Sequence, residues 1–118
     1  MKIPEPERLF QVITICGSTR FKDEFIEAAK ELTLSGWIVL TCNLFNHADN
    51  LHITERQKQM LDRMHKQKIW MSDAIYVINK DGYIGESTRS EIMYALLLGK
   101  KIFLHHPEYE LPDFSPLA

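Results

Sequence analysis

The sequence predicts a three-layer α/β domain built on a parallel sheet of about four strands. Two observations carry that expectation. Short apolar runs rich in β-branched residues alternate along the chain with longer stretches of helical periodicity. Each run also stops at a glycine, an asparagine or a polar turn. Such alternation implies right-handed βαβ crossovers, which lay helices on both faces of a parallel sheet.

Taken in order, Phe10–Cys16 (FQVITIC) reads as a buried strand that ends at Gly17. A helix follows, with Phe21, Phe25, Ala28, Ala29 and Leu32 on one face and Gly36 at its C-terminal cap. Trp37–Cys42 (WIVLTC) is a second strand, and the polar segment Asn43–His52 is a loop over the site. Thr54-Glu55-Arg56-Gln57 is a capping box that opens a helix of about 18 residues, with Met60, Leu61, Met64, Ile69 and Met71 in its apolar stripe. Ala74–Asn79 (AIYVIN) is a third strand. The loop Lys80–Ser87 leads into a helix from about Thr88 to Leu98, which Gly99 ends, and Lys101–His105 (KIFLH) is a fourth strand. The last dozen residues carry three prolines and read as a tail. Residues 1–118 are therefore one domain, with an N-terminal arm of about residues 1–9 and a C-terminal tail of about 106–118.

For a domain of this kind the expected topology is the flavodoxin-like, Rossmann-like strand order 2-1-3-4. That order puts the ligand crevice at the carboxyl ends of strands 1 and 3, where the winding reverses. The loops there are Cys16-Gly17-Ser18-Thr19-Arg20 and Asn79–Thr88, the two stretches richest in glycine, hydroxyl and charge. The first joins a glycine, two hydroxyls, a helix N-terminus and a guanidinium, a combination suited to phosphate or carboxylate. It has neither Walker A nor GxGxxG spacing. The plainer alternative is that Ser18 or Thr19 caps the helix and Arg20 is solvated. In the second loop Gly82 and Gly85 bring amides within reach of a ligand, and Ser87 and Thr88 start a second helix at the same crevice. Thr88-Arg89-Ser90-Glu91 has capping-box spacing, which makes Glu91 either a cap or an ionised carboxylate in the first turn, able to act as a nucleophile. His65 and Lys68 share one edge of the second helix, where His65 is either a hydrogen-bonded core residue or a catalytic one. Asp73 is expected to satisfy nearby backbone amides, and Tyr83 to stack on a base or cover the loop.

Bulk properties narrow the function. The chain is 45% hydrophobic and 25% charged, with a net charge of −2, and it has no basic footprint for a nucleic-acid polymer. The apolar run Met93–Leu98 is too short to span a bilayer, and MKIPEPERLF lacks the apolar core of a secretory signal, so a cytoplasmic location is expected. The two cysteines, Cys16 and Cys42, are expected to be buried thiols and are too few for a zinc site. His105-His106 has no partner at metal-ligand spacing, so neither a metal nor a cofactor is expected.

Three segments, "ITICGSTRF", "KIWMSDAIYVIN" and "GYIGESTRSEIMYALLLGKKIFL", together resemble the nucleoside 2-deoxyribosyltransferase-like superfamily. That group contains the deoxyribosyltransferases and the 2′-deoxynucleoside 5′-monophosphate N-glycosidases. The likeness runs from about Val12 to Leu104, and its most specific part is the glycine loop followed by a glutamate and the "E-I-x-Y-A…G-K" helix. It implies that Glu91 attacks C1′ of a nucleoside or nucleoside monophosphate, and that water then gives hydrolysis or a second base gives transfer. It further implies that Gly17, Ser18, Arg20, Gly85, Ser87 and Thr88 hold sugar and phosphate, with Asn79 and Gly82 in the same loop. The sequence departs from the family pattern at His65, where an acidic residue that assists the leaving base is usual, and at Thr14, where a tyrosine is usual. Both positions bear on base and 2′-hydroxyl preference. Family members borrow residues from a neighbouring subunit, which implies a homo-oligomer, dimer or higher, with the Pro112–Ala118 tail near another subunit's site. The alternative to an enzyme is a nucleotide-binding or sensing module with the same pocket.

Overall fold

A computed structural model describes residues 8–111 and residue 114. The elements run β1 (Val12–Gly17), α1 (Lys22–Leu34), β2 (Ile38–Leu40), α2 (Glu55–Met71), β3 (Ala74–Ile78), a 3₁₀ turn (Lys80–Gly82), α3 (Glu86–Leu97) and β4 (Lys101–Leu104). All strand pairs are parallel, and the order is β2-β1-β3-β4, as the alternation of elements predicts.

Side chains of β1 and β3 alternate between two cores. Ile15 and Ile78 face α1 and pack with Phe25 and Ala28. Cys16, Ile75 and Val77 face the opposite way and pack with Ile69 of α2 and with Ile92 and Ala95 of α3. Both central strands are thus covered on both faces, which is why their sequences are continuously apolar. Both α1 and α3 end in a Schellman motif. Trp37 N–H donates to Leu32 and Gly36 N–H to Thr33, and Lys100 N–H donates to Ala95 and Gly99 N–H to Leu96, with both glycines at positive φ.

Several boundaries differ from the sequence reading: β1 runs Val12–Gly17 in place of Phe10–Cys16, and β3 and β4 each end one residue early, at Ile78 and Leu104. β2 covers only Ile38–Leu40; the carbonyl of Thr41 turns instead to the Lys68 ammonium, which donates to it at 2.8 Å. A 3₁₀ turn occupies Lys80–Gly82, with Asp81 at φ 55°. Most consequential, α3 begins at Glu86 with Gly85 as its N-cap, two residues before the predicted start, and Arg89 N–H donates to Gly85 at 2.9 Å. The Thr54–Gln57 capping box does form, with bonds of 2.9 and 3.1 Å.

Asp73 accepts a hydrogen bond from the Val12 amide at 2.8 Å and pairs with Arg8; these two contacts hold its carboxyl below the usual range. Thr14 is fully buried, and its hydroxyl bonds Ser72 and the Lys68 carbonyl at the end of α2. No described helix is long and apolar enough to cross a membrane. Residues 1–7, 112, 113 and 115–118 lie outside the described residues, and with them most of the expected arm and tail. Phe114, within that tail, packs against this chain's own α2/α3 core, with the Arg89 guanidinium 5.2 Å above its ring.

Candidate functional site

A cavity of about 470 Å³ opens at the carboxyl ends of β1 and β3. Gly17, Ser18, Thr19 and Arg20 line it from the β1–α1 turn, and Gly85, Ser87, Thr88 and Glu91 from the start of α3. His65, Asp62 and Lys68 reach it from α2, and Asn43, Leu44, Asn46 and His47 from the loop after β2. The topological switch point thus gathers both predicted loops, together with His65 and Glu91, around one space of the size that small-molecule sites have. Asn79 and Gly82 are not among its lining residues. The Asn79 side chain is buried and clamps the backbone of His106, donating to its carbonyl at 2.9 Å and accepting from its amide at 2.8 Å. Gly82, at φ +78°, backs onto the Tyr109 ring.

The two helices that point into the cavity start without side-chain caps. Phe21 caps α1 and Gly85 caps α3, and neither contributes a side-chain hydrogen bond. The plainer reading of Ser18 and Thr19 as helix caps therefore does not hold. Thr19 instead bonds Asn46 at 3.2 Å and, with Lys22–Asp49 at 2.7 Å, ties the loop after β2 to the β1–α1 turn. The first-turn amides of α3, left open where Glu86, Ser87 and Thr88 line the cavity, suit an anion. Beside them, Arg20 donates to Ser18 Oγ at 3.1 Å, and its guanidinium lies 4.6 Å above the Tyr83 ring. The stack fixes the guanidinium at the cavity rim.

Glu91 sits in the second turn of α3, too far along to cap it, so the capping-box reading fails for geometric reasons. Its side chain is 14% exposed, and its Oε2 is shut off from water without a hydrogen-bond partner. His65 Nε2 lies 3.6 Å from that oxygen and 3.4 Å from Cys16 Sγ. Burial raises the Glu91 pKa to about 8, reinforced by the Asp62 carboxylate. The expectation of a carboxylate kept ionised by the helix dipole is thereby corrected: the dipole acts within the first turn, and burial wins in the second. Burial also lowers His65 to about 4, aided by the Lys68 charge, and pushes the Cys16 thiol up, aided by Glu91. At neutral pH the resting trio is thus a carboxylic acid, a neutral imidazole and a thiol.

Sequence reasoning set Cys16 in the first loop as a buried thiol without a chemical role, and it passed over Asp62. Asp62 lies three residues before His65, hence on the same face one turn away, and that spacing is a usable signal. Cys16 heads the first switch-point loop, and nothing local to it assigns it chemistry. No protein-family model matches the sequence, and no curated protein matches it, so the chemistry of the site rests on its own residues.

Proposed function

We propose that this protein cleaves the N-glycosidic bond of a nucleoside or nucleoside monophosphate, with Glu91 attacking C1′. The carrying observation is a buried carboxyl, one oxygen free of partners, on the wall of a cavity whose other groups suit a sugar and a phosphate. The resemblance of the glycine loop and the α3 sequence to the deoxyribosyltransferase-like superfamily points the same way.

The protonation states fit a balanced reaction. As a Glu91 oxygen bonds to C1′ and the C1′–N bond breaks, the carboxyl proton passes to His65 Nε2 and on to the leaving nitrogen. Water, or a second base, then attacks the glycosyl ester and returns a proton to Glu91. Holding the proton on His65 instead of Glu91 costs about 5 kcal/mol from the separation of their pKa values of about 4 and about 8. A turnover of roughly one per second allows about 17 kcal/mol, so the relay is affordable. In this role His65 takes over the work of an acidic residue: its low pKa makes the imidazolium a strong acid toward the base.

The test is release of free base from a panel of nucleosides, deoxynucleosides and their 5′-monophosphates, with and without an acceptor base. Release from at least one is expected. A panel that yields no base while a monophosphate still binds would make the protein a nucleotide-binding module. Arg20→Ala is expected to raise KM for a monophosphate by roughly 10–100-fold and to leave the parent nucleoside within a few-fold, measured by initial rates on both. Equal loss on both substrates would remove Arg20 as the phosphate anchor. The α2–α3 layer carries exposed apolar residues, among them Trp70 at 62% and Leu97 at 83% exposure, which supports assembly of two or more copies through this face.

A further inference from the structure

The same trio has a second property. Cys16 Sγ, His65 Nε2 and a Glu91 carboxylate oxygen lie within 4.8 Å of one another, with sulfur–nitrogen and nitrogen–oxygen edges of 3.4 and 3.6 Å. A tetrahedral zinc centre with bonds of ~2.3 Å to sulfur and ~2.0 Å to nitrogen and oxygen holds its donors about 3.5 Å and about 3.3 Å apart on those edges. The two edges that meet at His65 therefore already have the lengths of a metal site, the third is within 4.8 Å, and Glu91 Oε2 is buried there without a hydrogen-bond partner.

We infer that Cys16, His65 and Glu91 bind a borderline-soft divalent metal of the zinc class, which takes Glu91 out of service. Thiolate, imidazole and carboxylate together select zinc or cobalt over magnesium or calcium. The thiolate and the carboxylate supply two negative charges, so a bound dication leaves a neutral buried centre. Binding releases the thiol and carboxyl protons to solvent. His65 and Glu91 also line the cavity, so a fourth position is reachable by water or by a donor atom of a ligand. The coordination does not depend on the proposed reaction. Its consequence, inhibition by occupancy of the nucleophile, rests on that reading.

The test uses full-length protein freed of metal by chelator and titrated with Co²⁺, whose thiolate charge-transfer and tetrahedral d–d absorption report the site. One equivalent is expected to bind with Kd below ~1 µM and to be displaced by Zn²⁺. Cys16→Ser is expected to lose the charge-transfer band, and His65→Ala and Glu91→Gln to weaken binding at least ~100-fold, while Cys42→Ser keeps the band. Circular dichroism on each variant separates loss of a ligand from loss of the fold, and His65→Ala reports the site if Cys16→Ser does not fold. Absence of the band in wild-type protein, a thiolate band that persists in folded Cys16→Ser, or unchanged cobalt affinity in folded His65→Ala overturns the inference. Cobalt binding without base release from any substrate leaves the metal site standing and removes the glycosidic reading. Base release that Zn²⁺ leaves unchanged, with no cobalt band, does the reverse.

Discussion

Replacing Glu91 by glutamine is expected to reduce base release by at least ~10³-fold and, in the same molecule, to stabilise the protein above neutral pH. The first effect follows because the amide has neither the nucleophilic oxygen nor the proton that the leaving base needs. The second follows from linkage. Burial, with the Asp62 charge behind it, raises Glu91 from 4.5 to about 8 in the folded protein. The stability tied to the neutral carboxyl is fully present below the unfolded pKa of about 4.5 and is lost as pH rises through about 8. Fully ionised, Glu91 costs the fold up to roughly 5 kcal/mol, less whatever relaxation of the cavity recovers. Glutamine has no charged form and escapes that loss.

His65 behaves in the opposite sense. Its folded-state pKa is lowered to about 4, so its contribution is complete above about 6.5 and disappears as pH falls through about 4. Wild-type stability should therefore be flat between roughly pH 4.5 and pH 6.5 and decline on both sides. The glutamine variant should keep the acid limb and lose the alkaline one. Denaturant midpoints across pH 4–9 for the two proteins check this directly. A variant that is inactive yet shows the wild-type alkaline decline would mean that another group sets that limb, and Glu91 would no longer be the buried acid. The rate should follow the same proton. With a nucleoside substrate, kcat/KM should be level from about pH 5 to about pH 8 and fall above it, where the trio no longer carries the proton to be relayed. A rate that instead climbs toward pH 8 would identify the pre-ionised carboxylate as the reactive form and remove His65 from the proton path.

That tension between stability and reactivity at Glu91 also marks the boundary of what the sequence conveys. The sheet order was legible because β1 and β3 are buried on both faces, which writes an unbroken apolar run, and because Gly36 and Gly99 stop their helices at the expected places. The crevice was legible from topology, since only two loops meet at the switch point. The state of Glu91 was not. Capping-box spacing occurs at both Thr54–Gln57 and Thr88–Glu91, and only the first forms. Nothing within four residues reveals that Gly85 starts α3 and that Thr88 is 3% exposed inside it. Cys16 and His65 meet across 49 residues of sequence, on a strand and a helix whose relative placement depends on the whole core. Counting cysteines leaves out donor atoms of other types, and only packing brings Cys16, His65 and Glu91 within 4.8 Å of one another.

Gly17→Ala is the second large effect. Gly17 is the last residue of β1 and belongs to the loop expected to take a phosphate or carboxylate. Its missing Cβ faces protein: an added methyl would lie 2.9 Å from Ile78 Cβ, 3.1 Å from the Ile78 carbonyl oxygen and 3.2 Å from the Phe25 ring. Its φ of +153° adds backbone strain for any L side chain. Relief by movement is blocked, because Gly17 pairs with Ile78 in the sheet and Phe25 is 2% exposed in the α1 core. The expected cost is about 2–4 kcal/mol, or a fall in Tm of roughly 10–20 °C at this chain length. Gly36→Ala provides the comparison. Gly36 also has a positive φ, +96°, but nothing lies within 4 Å of its would-be Cβ, so strain acts there without a clash and about 1 kcal/mol is expected. Denaturant unfolding of the two variants side by side measures the difference. Should Gly17→Ala cost no more than Gly36→Ala, the close approach of β1, β3 and α1 at the head of the cavity would not be what fixes that glycine. If the difference appears, the residue that opens the candidate binding loop is set by packing beneath it, and Ser18 and Arg20 inherit their positions from the core.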